Sequence, residues 1–148
     1  MSAYLTITEG NAYFSKRLNA DPWEDATNGN KTKALEQATA IIDRLNFAGD
    51  KAVDTQELEF PRGTDTVVPS DIKSATAEIA LALLDGVDPE IEFENLSMTA
   101  HKYGPVQTNY QRNTLQVHTL VGVPSVTAWR FLVPYLRDPQ GVALDRIS

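Results

Sequence analysis

Cysteine is absent from the 148 residues, and with it go disulfides, thiolate metal sites and a cysteine nucleophile. A cytosolic or assembly-line existence fits that absence better than secretion. Histidine occurs only at His101 and His118, without the carboxylate and histidine spacing that zinc sites use. The eight glycines are dispersed, and none sits in a G-x-x-x-x-G-K or G-x-G-x-x-G frame, so no glycine-rich loop is present to cradle a nucleotide. No apolar run approaches the ~18 residues of a membrane span, and MSAYLTITEG at the N-terminus has no basic region followed by an apolar one. A soluble, untargeted chain is expected. Positive charge is scarce: 13 Lys and Arg against 20 Asp and Glu give a net charge of -7. Phosphate backbones are gripped by Lys and Arg that displace counterions, so a chain of this sign is a poor candidate for holding nucleic acid.

What is present is enough for one core. The length predicts a single domain, and 42% hydrophobic residues suffice to fill it. The chain is organised around Pro69 to Gly86, where Ile72, Ala75, Ile79 and Leu83 recur at helical spacing and Ala80, Leu81 and Leu84 widen the stripe, with Asp71, Lys73, Ser74 and Glu78 elsewhere. Ser70 is the expected cap and Gly86 the expected left-handed terminator. Its many small residues predict a helix packed on several sides.

Upstream, Thr6-Ile7-Thr8-Glu9 has the form of a capping box opening a helix to about Leu18. Asp21-Pro22-Trp23 predicts a short turn of helix, with Trp23 plugging a gap between helices. A polar Asn28-Gly29-Asn30 loop then precedes a long helix from about Lys31 to Leu45, striped by Leu35, Ala38, Ile41, Ile42 and Leu45. From Asn46 to Val68 the period vanishes, which predicts a long connection with a short extended piece ending at Phe60-Pro61-Arg62.

Downstream, Val87 to Asn95 is acidic and expected to be exposed. Alternation at Leu96, Met98 and Ala100, and again at Val106, Thr108 and Tyr110 around Tyr103-Gly104-Pro105, predicts a β-hairpin, and Leu115, Val117, Thr119 and Val121 a third extended run. Ser125 caps a last helix carrying Val126, Trp129, Leu132 and Val133, and the tail from Arg137 to Ser148 is polar. The fold class is mainly α: three long helices in a bundle plus a C-terminal helix, with a β-hairpin insertion and an extended C-terminal tail.

No constellation carries catalysis, and no cofactor or metal is expected. Asp88, Glu90, Glu92 and Glu94 would serve acid–base or cation chemistry only in a fixed geometry; a solvated acidic face is the commoner outcome. Trp23, Trp129, Tyr103, Tyr110 and Tyr135 form no obvious stacking platform, since both tryptophans fall beside core stripes and only Lys102, Arg112 and Arg137 lie near the tyrosines. Arg62 and Arg137 read as protein contacts or surface ion pairs.

The ordered set of Tyr4-Leu5-Thr6, Asn11 to Phe14, Ala34 to Leu45, Leu58 to Arg62, Val68 to Lys73, Ala77 to Leu84, Tyr103 to Val106 and Arg130 to Leu136 resembles the head–tail connector (adaptor, or head-completion) proteins of tailed bacteriophages. The resemblance implies one adaptor domain over 1-148, with a helical core at about 6-86, a hairpin arm at about 95-122 and a C-terminal helix and docking tail at about 125-148. It implies a structural, non-enzymatic virion protein of the neck, assembled in the host cytoplasm as a homo-oligomeric ring of twelve. Such a ring lies between the portal protein and the next tail or neck protein, and genomic DNA passes through its channel without sequence-specific binding. Arg137, Val142, Leu144, Arg146 and Ile147 are then candidates for portal docking, and Tyr103, Gly104, Pro105 and Val106 for ring or tail contacts. An acidic wall would let DNA slide.

The alternative is a single-stranded-DNA-binding module of a replication or packaging complex, because related sequences are sometimes labelled as resembling a primosomal single-stranded-DNA-binding protein. The sign of the charge counts against it. A small hydrolase using the Asp88 to Glu94 carboxylates is a third reading.

Overall fold

The computed structural model describes residues 2–95 and 117–137. The capping box at Thr6 is made: its hydroxyl accepts from the Glu9 amide at 3.1 Å, and the Glu9 carboxylate accepts from the Thr6 amide at 3.0 Å. It opens α1 (Ile7–Phe14). A short α2 (Asp21–Asp25) follows, then α3 (Asn28–Asp43), capped by the Thr27 hydroxyl, and α4 (Ser70–Leu84). Residues 89–95 are helical (α5). Beyond them come α6 (Val117–Leu120), α7 (Val126–Leu132) under its Ser125 cap, and a 3-10 turn at Val133–Tyr135.

α4 is the axis of the molecule. It packs against α3 and α7, and touches α1 and α2 as well. Every residue from Ala75 to Leu81 is buried, so the helix is enclosed all round rather than along one stripe. Alanines at 75, 77 and 80 let neighbours approach, while Ile72 and Ile79, both fully buried, contribute about 1.5–3 kcal/mol each. The helix stops where Gly86 takes φ 91°. Its amide bonds to the Leu83 carbonyl and that of Val87 to Ala82, both at 3.1 Å, which satisfies two terminal carbonyls.

Trp23 does plug a gap. Its ring is buried against Phe14, with centroids 4.9 Å apart, its Nε1 donates to Asn11 Oδ1 at 2.9 Å, and Lys31 Nζ lies 5.0 Å from the ring centroid. The long connection after α3 is anchored by Phe47 and Phe60, whose rings meet edge to face at 4.6 Å, and Phe60 meets Tyr4 and Tyr135 in the same way.

Several sequence expectations need correction. Two helices, α3 and α4, are long; α1 ends at Phe14 rather than near Leu18, so a bundle of three long helices is not what forms. Asn28 to Asn30 belong to α3 because Thr27 caps one residue earlier than the polar run suggests. At α4 the N-cap position is held by Pro69 and no side chain caps it, so Ser70 does not play the expected part. Among the described residues there is no strand, only the isolated bridges Phe47↔Leu136 and Lys51↔Arg62. Val117 to Leu120, expected extended, is helical. The hairpin with Tyr103, Gly104, Pro105 and Val106, and the tail from 138 onward, lie outside the described residues.

Candidate nucleic-acid interface

A net charge of -7 conceals a partition along the chain. Residues 1–95 hold eighteen Asp and Glu against eight Lys and Arg, a balance of -10. From Leu96 through Arg137 there is no carboxylate at all, while Lys102, Arg112, Arg130 and Arg137 give +4. The same stretch carries Tyr103, Tyr110, Trp129, Phe131 and Tyr135. Summing charge over the whole chain missed this. A windowed count would have found it, because electrostatic attraction beyond about 10 Å is screened at ordinary salt and a ligand meets local charge first.

The described part of this stretch is α6, α7 and the residues after them. α7 buries Ala128 and Leu132 against the core and leaves Val126, Thr127 and Arg130 exposed, as is Pro134 in the 3-10 turn that follows. The chain then docks on the loop after α3. The Ala48 amide donates to the Tyr135 carbonyl at 2.9 Å, and the Arg137 amide to the Asn46 carbonyl at 3.0 Å. Arg137 is exposed, with one guanidinium nitrogen 3.3 Å from the Gly49 carbonyl.

Arg62 reaches that same carbonyl from the opposite segment. Its guanidinium also donates to the Ala48 carbonyl at 3.0 Å and the Glu59 carboxylate at 2.7 Å, and it is largely buried. The two arginines read from sequence as separate contacts are therefore neighbours with different jobs. Arg62 is saturated by the loop it clamps, whereas Arg137 keeps donors facing water. Of the other portal-docking candidates, Val142, Leu144, Arg146 and Ile147 lie outside the described residues.

The buried titratable groups are tied into pairs that hold elements together. Glu78 is 3% exposed on α4 and accepts from Arg17 Nε and Nη2, each at 2.9 Å, and from the Tyr13 hydroxyl at 2.5 Å. Tyr4 donates to Asp43, and Tyr135 to Asp71 at 3.3 Å. Burial is the first cause that pushes all three phenols above their ordinary range, with the facing carboxylate adding to it. Burial also raises Asp43, against the hydrogen bond from Tyr4.

His118 sits on α6 with Nδ1 2.7 Å from the Val123 carbonyl, and among the described residues no group of three His, Asp or Glu could hold a metal. Glu90, Glu92 and Glu94 lie on the exposed helix α5 and Asp88 just before it, with Asp88 Oδ1 accepting from the Glu90 amide at 2.9 Å. No described helix is long and apolar enough to cross a membrane.

The class these features define is a mainly helical protein with an acidic part over residues 1–95 and a carboxylate-free stretch over 96–137 that carries four of its 13 Lys and Arg. The sequence model of a family described as "Putative DnaT-like ssDNA binding protein" matches residues 1–143, and the chain belongs to that family. No curated protein and no solved structure matches it. The family match overturns the resemblance to phage head–tail connectors and, with it, the virion, portal-binding and ring readings that rested on it. The physical reason is visible in the segments that carried the resemblance. Val68 to Lys73, Ala77 to Leu84 and Leu58 to Arg62 are a helix start, a core helix and an anchored loop, parts that build a core and say nothing of what the surface meets.

Proposed function

We propose that this protein binds single-stranded DNA through residues 96–137. The observation that carries the reading is the partition of charge: the only long stretch without a carboxylate holds four cations, with Tyr103 and Tyr110 among them, while its Trp129, Phe131 and Tyr135 are half-buried against the core. Arg and Lys neutralise phosphates, and aromatic rings stack on bases without regard to sequence, so this composition suits a strand whose bases are free. Membership of a family described as DnaT-like and ssDNA binding supports the same reading. The acidic body repels the rest of the strand. Binding is accordingly confined to one stretch, is modest in affinity and falls steeply with salt.

Fluorescence anisotropy of the intact protein with labelled oligo-dT, titrated from 50 to 200 mM salt, tests this. Four phosphate contacts correspond to a slope of about -3 in log K against log salt, a loss of about fiftyfold over that range. Arg130→Ala and Lys102→Ala each reduce the slope by about 0.7, while Tyr110→Ala weakens binding at every salt concentration and leaves the slope alone. An oligonucleotide that stays free at 50 mM salt would sink the proposal.

A further inference from the structure

Two of the eight glycines follow an Asn or Asp, at Asn28-Gly29 and Asp85-Gly86. Such a pair carries covalent chemistry of its own: with no Cβ to hinder it, the glycine's backbone nitrogen can attack the carbonyl carbon of the preceding side chain. The two pairs sit in different surroundings. The Gly86 amide is engaged, donating to the Leu83 carbonyl at 3.1 Å in the turn that ends α4. Asn28 and Gly29 are instead the first two residues of α3, where amides have no intrahelical acceptor. Both are exposed, and among the described residues neither the Gly29 amide nor the Asn28 carboxamide makes a hydrogen bond. A Cβ placed on Gly29 would meet only the Thr27 hydroxyl oxygen, at 3.9 Å, so the approach to this peptide is open.

We infer that Asn28 is a site of spontaneous covalent modification by deamidation. The Gly29 nitrogen gives up its proton and bonds to Asn28 Cγ, the bond from Cγ to the side-chain nitrogen breaks, and ammonia leaves with that proton. Water then opens the cyclic imide at either carbonyl, giving aspartate or, with the main chain rerouted through the side chain, isoaspartate. No oxidant or reductant takes part. Helical backbone does not place the Gly29 nitrogen behind Cγ, so attack waits for the first turn of α3 to open. Three hydrogen bonds hold that turn: the Asn30 amide to the Thr27 hydroxyl at 3.2 Å, the Lys31 amide to the Thr27 carbonyl at 2.9 Å, and the Thr32 hydroxyl to the Asn28 carbonyl at 3.0 Å. A helix end is where a fold opens most readily. Aspartate at this first position suits the helix N-terminus, whereas isoaspartate lengthens the main chain between Thr27 and Asn30 and takes the cap out of register. The inference stands apart from the DNA-binding reading, and its test contains no DNA.

The intact protein is held in warm neutral buffer, sampled over days and cut with trypsin, and the tryptic peptide 18–31 is sequenced by mass spectrometry. Asn19, Asn28 and Asn30 all fall in that peptide, so each is measured against the others. Asn28 converts first. Asn19 is followed by Ala20, which is 3% exposed, and Asn30 by Lys31, whose amide is already bonded to Thr27. Thr27→Ala removes the cap and speeds conversion at Asn28 by about fivefold, the worth of one N-cap to the closed turn. Gly29→Ala slows it by at least about fivefold, since alanine favours the helix and its methyl crowds the nitrogen. Both variants fold, because Thr27 is exposed and the space beside Gly29 is open. Asn28 converting no faster than Asn19 and Asn30 in the parent overturns the proposal, and so does a rate at Asn28 that neither variant changes.

Discussion

Gly10 lies against the indole of Trp23: a methyl group at position 10 would stand 2.6 Å from Cζ2 and 2.7 Å from Cη2 of that ring. Two opposing effects are therefore set against each other in α1. Alanine is the better helix former by about 1 kcal/mol, but overpacking a closed contact costs about 1–3 kcal/mol, and Trp23 is too tightly held to withdraw. The steric effect wins. Gly10→Ala lowers stability in urea unfolding by about 1–2 kcal/mol. In a Trp23→Phe background, which lacks the two ring carbons concerned, the same change costs less or becomes favourable. Equal costs in both backgrounds would mean that α1 and Trp23 do not meet this way.

The network at Glu78 predicts a different asymmetry. Arg17 and Tyr13, both from α1 and its C-terminal turn, converge on one buried carboxylate of α4. Arg17→Met leaves that charge without its counterion and costs about 3 kcal/mol, part of it recovered by water because the Arg17 side is 32% exposed. Removing the whole set, with Arg17→Met, Tyr13→Phe and Glu78→Leu together, costs less than Arg17→Met alone, since no buried polar group remains unpaired. Chemical denaturation of the two variants measures the difference directly.

The periodicity of α4 made it the core helix, and it is; the capping residues Thr6 and Ser125 and the terminator Gly86 were equally legible, because each acts within one turn of chain. Glu78 was not. Its place on the polar side of the apolar stripe pointed it to water, and only the arrival of Arg17 and Tyr13, more than sixty residues away in sequence, makes its burial tolerable. The alternation of Leu115, Val117, Thr119 and Val121 likewise pointed to a strand, yet 117–120 turns as a helix, since β-branched residues bias the backbone only weakly against tertiary packing. The candidate DNA-binding stretch was legible all along in charge order, and a whole-chain sum hid it.

Three phenols facing carboxylates set the alkaline limit of the fold. Tyr4, Tyr13 and Tyr135 are all raised above the ordinary 10.0, by burial first and the adjoining carboxylate second. A group whose folded pKa lies above its unfolded value stabilises fully below the unfolded value, and that stability is lost as pH rises through the folded one. Urea midpoints are thus expected to be level between pH 8 and about 9.5 and to fall steeply above pH 10. Tyr13→Phe makes the fall shallower, because phenylalanine has no proton to lose. A midpoint unchanged up to pH 11.5 in the parent protein would show that these phenols are no more protonated in the fold than out of it.

Arg62 and Arg137 share the Gly49 carbonyl but not its consequences. Arg62 spends its donors on carbonyls of residues 47 to 49 and on Glu59, so Arg62→Ala releases the loop after α3 and lowers stability by about 3 kcal/mol. Lysine at 62 does not rescue it, since an ammonium cannot span the same planar set of acceptors. Arg137 is exposed and makes one described side-chain hydrogen bond, so Arg137→Ala shifts the urea midpoint little. Its effect falls on DNA: the salt slope with oligo-dT drops by about 0.7, the share of one phosphate contact on a single strand. Urea unfolding and anisotropy on the two alanine variants separate a clamp from a contact. If Arg137→Ala unfolds the protein as Arg62→Ala does, or leaves the salt slope untouched, Arg137 belongs to the clamp and the DNA path lies elsewhere on the carboxylate-free stretch.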